Sequence, residues 1–317
     1  MTMLKLFPGK NKDKNADDDG IVVLSEPGPL ECGGTTATRD TRAPKTIASE
    51  DMTFFSVATA FGPFGAFDRD EDGRLPLSHL SAYAAPAGQG TFLFLSTERC
   101  EEEEKSWAFV KESPFPALTS LVREHDLARD NGFHSRTHGL PQNFGGEVDI
   151  RYASGERICF SDNQTPILSP KVGQEIVTIF QTAMRGEKVP LPDLADLAAI
   201  RFEEQREDGG FTTATLTLLP DGSGSNEKRS RYDGSRIYES IKPVDKETVA
   251  AIKKTIEEAG LLAWPSLPDN GFSAPTARSL TFTFAPGASV TVPDGKLLPD
   301  PLSRAFFTIQ LEIETKH

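Results

Sequence analysis

Val148-Asp149-Ile150-Arg151-Tyr152-Ala153-Ser154-Gly155 and Leu280-Thr281-Phe282-Thr283-Phe284-Ala285-Pro286-Gly287 share one pattern at an offset of 132 residues. Each alternates apolar and polar residues, as a half-buried strand does, and each runs into a glycine turn. The next eight residues keep the offset without a gap, ending at Asp162-Asn163 and Asp294-Gly295. Both stretches read as strand, tight turn, strand. Working outward, Leu118, Leu121 and Phe133 match Val249, Ile252 and Trp264 at offset 131. Ser169-Pro170 matches Asp300-Pro301 at the same spacing. A spacing kept across helix, hairpin and helix start predicts a tandem duplication.

The expected fold class is α+β: a β-β-β-α-β-β-α unit used twice, each antiparallel sheet packed by helices on one face. Residues 1–50 read as a mostly irregular N-terminal tail, with Ile21-Val22-Val23-Leu24 as its strand-like stretch. Residues 51–190 form the first unit and residues 191–317 the second, with the proline-bearing stretch Gly186–Pro192 between them. In the first unit the strand candidates are Phe54–Phe61, Thr91–Leu95 and Trp107–Val110. In the second they are Ile200–Gln205, Thr213–Leu219 and Arg229–Tyr232. The stretch from Ala66 to Gly90 reads as an insertion peculiar to the first unit.

Helices are signalled by stripes and caps. Leu118, Leu121, Val122 and His125 fall at helical spacing, as do Val249, Ile252 and Ile256. Ser169 caps a helix opened by Pro170, and Asp245 caps another that ends near Gly260. Asp300-Pro301 opens the last. In the hairpins, Ile150, Tyr152, Ile158 and Phe160 should face the helices, as should Phe282, Phe284, Val290 and Val292.

Composition narrows the function. The chain has 317 residues, 34 Lys and Arg, 47 Asp and Glu, and a net charge of −13. That balance speaks against nucleic acid and against anionic membrane as partners. No apolar run approaches a membrane span. Cys32, Cys100 and Cys159 are widely spaced, with no CxxC pair, which fits a reducing compartment and a cytoplasmic protein.

Few residues suggest chemistry. Asp68-Arg69-Asp70-Glu71-Asp72-Gly73-Arg74-Leu75 places oxygens at loop positions 1, 3 and 5 and glycine at 6, as calcium requires. It resembles the opening of EF-hand and dockerin-type loops, which implies calcium held by Asp68, Asp70 and Asp72. It departs from them at Pro76 and at His79, where a bidentate Glu would close the shell. A solvated acidic turn is the alternative. His134-Ser135-Arg136-Thr137-His138 sets two imidazoles four apart, but flanking glycines and Pro141 predict loop. His125 lies on an apolar stripe where the second unit has Ile256, so it reads as a packing position. Glu101–Glu104 reads as a solvated turn, and it disfavours thiolate at Cys100.

The matched positions of the two units are mostly apolar, so what they share is scaffold. The leading expectation is an interaction protein for an unknown protein or small-molecule ligand, with no chemistry of its own. The alternatives are an enzyme with one site in the cleft between the units, drawing on His134, His138 and Cys159, or a calcium-responsive module.

Overall fold

The computed structural model describes residues 20–25, 34–61, 76–87, 89–99, 102–139, 144–232, 236–263, 276–293 and 300–315. Among these residues the chain forms a mixed α+β structure with two sheets and four α-helices. In order, its elements are β1 (Ile21–Ser25), β2 (Thr35–Asp40), β3 (Met52–Ala60), β4 (His79–Ala87), β5 (Gly90–Arg99), β6 (Glu102–Val110) and α1 (Phe115–Glu124). Then come β7 (Phe133–Thr137), β8 (Gly146–Tyr152), β9 (Arg157–Asp162) and α2 (Pro170–Met184). The second half holds β10 (Leu197–Arg206), β11 (Phe211–Leu218), β12 (Gly224–Arg231), β13 (Tyr238–Val244), α3 (Lys246–Ala259), β14 (Thr276–Phe284), β15 (Ser289–Pro293) and α4 (Asp300–Thr315).

The first sheet has nine strands in the order β1-β2-β7-β9-β8-β3-β4-β5-β6, and the second has six in the order β13-β12-β11-β10-β14-β15. From β9 to β6 the first sheet follows the same path as the second from β15 to β13. Each path has a register shift at the corresponding place, between Met52 and Phe54 in β3 and between Leu197 and Ala199 in β10. The two hairpins occupy the same position in these paths. Gly155 and Gly287 sit in their turns at φ 86° and 123°, where a side chain would be strained.

The expected β-β-β-α-β-β-α order needs one more leading strand in each half. In the first half the missing strand is β4, inside the stretch read as an insertion. It carries four alanines and Pro86, residues of low strand propensity, so the sequence pattern is weak there. In the second half the missing strand is β13, an edge strand whose exposed positions mix Tyr238, Glu239, Ile241 and Pro243 without apolar alternation. The sheets are also not wholly antiparallel, because β7 joins β9 in parallel. Within the segment expected to be mostly irregular, β1 and β2 extend the first sheet beyond β7.

Local chemistry explains the helices. Ser169 Oγ accepts from the Val172 N–H at 3.3 Å, and Asp245 Oδ1 accepts from the Thr248 N–H at 2.7 Å. Both supply acceptors that a helix start otherwise lacks. Leu118, Leu121 and Val122 of α1 pack with Val172, Ile176 and Phe180 of α2 over Phe55, Val57, Ile150 and Ile158 of the first sheet. Val249, Ile252 and Ile256 of α3 and Phe306 and Ile309 of α4 cover Ile200, Phe202, Leu280 and Phe282 of the second.

β5 is buried along Thr91–Thr97 on both faces. Leu93 and Leu95 turn to α1 and α2. Phe92 and Phe94, with Phe54 and Tyr83, join the core of the second half instead. A strand that is apolar on both sides needs cover on both sides, and the second half provides it.

Candidate functional site

The junction between the halves is built around Trp107. It lies on β6, whose first residues, Glu102–Ser106, are exposed. The Glu run expected as a turn is thus the start of an edge strand from Glu102 on, and its charge discourages further strand pairing. The Trp107 ring stacks near Phe92, with centroids 6.3 Å apart. Its indole N–H donates to the Glu258 carbonyl of α3 at 3.2 Å. Gly260 ends α3 in the left-handed conformation, φ 65°, and a Cβ there would lie 2.5 Å from the Trp107 ring. Glycine is therefore required twice over, by the backbone turn and by the approach of the indole.

Beside this contact opens a cavity of about 500 Å³, lined by Trp107, Leu191, Leu194, Ile256, Leu262 and Gly260 with Asp193 and Glu257. The walls come from β6, the connection between the halves, the end of α3 and the turn Leu261–Ala263. Most of the lining residues are apolar, and Asp193 and Glu257 are among them. Asp193 also holds its own turn, accepting from the Ala195 N–H at 2.7 Å.

The residues considered for a cleft enzyme lie elsewhere. Cys159 is on β9, five strand spacings from β6, or about 24 Å at roughly 4.8 Å per strand. His134 and His138 belong to strand β7 and its end, a strand where loop was expected. Alternation sends both to one face, but four residues of strand separate them by about 13 Å, too far to share a metal. His134 Nδ1 lies 3.0 Å from Ser161 Oγ, and His138 Nε2 lies 3.3 Å from Thr36 Oγ1. Burial holds the His134 imidazole below its ordinary pKa. It likewise raises the Cys159 thiol, so this cysteine is half-buried and unactivated.

A polar group that the sequence did not flag centres on Asp149, a nearly fully buried carboxylate on β8. Its Oδ2 accepts from Arg151 Nη2 and its Oδ1 from Arg157 Nε, each at 2.7 Å. The Arg151 guanidinium lies over the Phe54 ring at 4.8 Å. The signal was present as Asp and Arg at alternate positions of a hairpin. Only the cross-strand register shows that Arg157 reaches the same carboxylate.

His125 is not simply a packing residue, because its Nε2 lies 2.7 Å from Glu175 Oε2 on α2. The hydrogen bond from His125 holds the Glu175 carboxyl below its ordinary range. Asp68, Asp70 and Asp72, with Cys32 and Cys100, lie outside the described residues. No helix among the described residues is long and apolar enough to cross a membrane.

Comparison with protein-family models and with curated proteins finds no match to this chain. Fold and site define it as an α+β protein of two like-ordered sheets with a cavity at their junction.

Proposed function

We propose that this protein binds a ligand at the junction of two duplicated α+β units and performs no chemistry of its own. The duplication reading rests on the shared strand order, the shared register shift and the hairpins matched at offset 132. The binding reading rests on one observation, the junction cavity. Its lining is mostly apolar and includes Asp193 and Glu257, and among the described residues that line it no nucleophile is paired with a base. Concave, mostly apolar sites at domain junctions with a few placed polar groups are where small ligands are held. Two carboxylates in an otherwise mostly apolar lining favour a cation, such as an amine or guanidinium on a short aliphatic stem. A cytoplasmic setting, in keeping with three widely spaced cysteines, belongs to the same reading.

The test is a thermal-shift series with small cations, arginine amide and putrescine, against carboxylates of matched size. The cations should raise the melting temperature saturably. Glu257→Gln and Trp107→Phe should weaken that rise. Stabilisation by the carboxylates alone would refute the assignment of charge. Turnover of any compound at this cavity would refute the claim that the protein only binds.

A further inference from the structure

We propose that Glu124, His125 and Glu175 form a binding site for a divalent transition ion of the zinc class, clasping the end of α1 to α2. The three side chains each bring one ligand atom to a common point, all within 4.8 Å of one another. One imidazole nitrogen and two carboxylate oxygens are a donor set that zinc accepts, with a fourth tetrahedral position left to water. The site is separate from the junction cavity and does not rest on the reading given to it.

Charge supplies the second argument. Glu124 is the last residue of α1, where the helix dipole already disfavours an anion. No hydrogen bond or ion pair to its carboxylate occurs among the described residues. Glu175 brings a second carboxylate to the same imidazole. The cation nearest on α1, Arg123, is engaged elsewhere, donating to Glu50 Oε1 at 2.7 Å. Lys171 reaches Glu175 Oε1 only at 3.8 Å and is three-quarters exposed. Among the described residues Glu124 therefore lacks a counter-charge at the end of its helix, and a divalent ion shared with His125 and Glu175 supplies one.

Geometry supplies the third. Ligand atoms on a four-coordinate zinc lie roughly 3.3 Å apart, given bonds of about 2.0–2.1 Å. The His125–Glu175 pair, hydrogen-bonded at 2.7 Å, gives up its shared proton to solvent and opens by a few tenths of an ångström as the ion enters, while Glu124, within 4.8 Å of both, swings in by rotation of its exposed side chain. His125 is the better anchored ligand, its side chain 16% exposed against 34% for Glu175.

The experiment uses the full chain stripped of metal with a chelator. Zinc chloride is titrated by calorimetry, and cobalt is followed by its visible absorption. One equivalent per chain should bind saturably, cobalt should give the absorption of a low-coordinate nitrogen and oxygen site, and zinc should raise the melting temperature. His125→Asn and Glu175→Gln should each lower the affinity by at least about tenfold, since even outer-sphere partners of a metal are worth that much. His134→Asn should leave it unchanged. Circular dichroism of each variant checks its fold, and Glu124→Gln, at an exposed position, serves if His125→Asn does not fold. Absence of saturable zinc binding by the parent chain would overturn the proposal. So would undiminished binding by a folded His125→Asn or Glu175→Gln variant.

Discussion

One row of residues crosses each sheet on the face turned away from its own helices. In the first sheet it reads Cys159, Asp149, Ser56, Tyr83, Phe94 and Trp107. In the second it reads Thr291, Thr281, Arg201, Thr215, Glu227 and Ile241. The strand path is the same, yet Tyr83 and Phe94 are core and Thr215 and Glu227 meet solvent. The first sheet is covered by α1 and α2 on one face and, from β3 to β6, by the second half of the chain on the other. The second is covered once. Its open face is satisfied by threonines and paired charges, such as Thr281 with Thr291 at 3.1 Å and Arg201 with Glu203 at 2.7 Å. One scaffold thus tolerates either a core or a solvated surface on the same face, and the side chains alone choose.

The sharpest way to break this comparison is to truncate both rows. Phe94→Ala should cost about 3–5 kcal/mol by leaving a cavity in a packed core. Glu227→Ala, its counterpart, should stay within about 0.5 kcal/mol. Urea unfolding of the two variants would measure this, and equal losses would mean the faces are not so different. Next is the polar end of the row. Asp149→Asn should lose roughly 1.5–3 kcal/mol, because two guanidiniums lose a charged acceptor. Thr281→Ala should change little, and chemical denaturation would separate the two.

A smaller effect is expected at the seam that covers the first row. Gly260→Ala should cost about 1–2 kcal/mol for the left-handed backbone, with further loss where the new methyl meets Trp107. The rise in exposure of Trp107 would be read by quenching of indole fluorescence. An unchanged variant would mean that the seam is loose.

The smallest effect concerns pH. Burial holds His79 and His134 below the ordinary histidine range. The unfolded chain therefore takes up their protons first as pH falls. Stability should decline once pH drops through about 6.5 and continue until the folded imidazoles are protonated. The carboxyls of Glu103, held low chiefly by Lys105, and of Asp221, held low by Ser223, act later. Their contribution is lost only as pH falls below the ordinary carboxylate range, near 4. Melting curves between pH 7 and 5 should be flatter for His134→Asn than for the parent, and identical slopes would refute the assignment.

Much of the architecture was legible because it rests on short-range chemistry. The hairpins at Gly155 and Gly287 follow from alternation and a glycine turn, and the helix starts at Ser169 and Asp245 follow from one acceptor each. β4 was hidden because alanines and Pro86 carry little strand signal, although Ala82 and Ala84 are wholly enclosed. β13 was hidden because an exposed edge strand needs no apolar alternation. The junction cavity was illegible for another reason. Trp107 and Gly260 are far apart in the chain, and neither has a local pattern that names the other.

The sequence by itself determined the two hairpins, the caps, the helical stripes and the acidic, cysteine-poor character. These depend on neighbours within a few residues or on composition, where backbone sterics and hydrogen bonding act alone. Only the tertiary structure decided that the far face of β3–β6 is core as well, which residues share the Asp149 carboxylate, and that His125 meets Glu175. Each of those requires groups brought together by burial of apolar surface, which is non-directional and leaves no period in the chain to mark the partner.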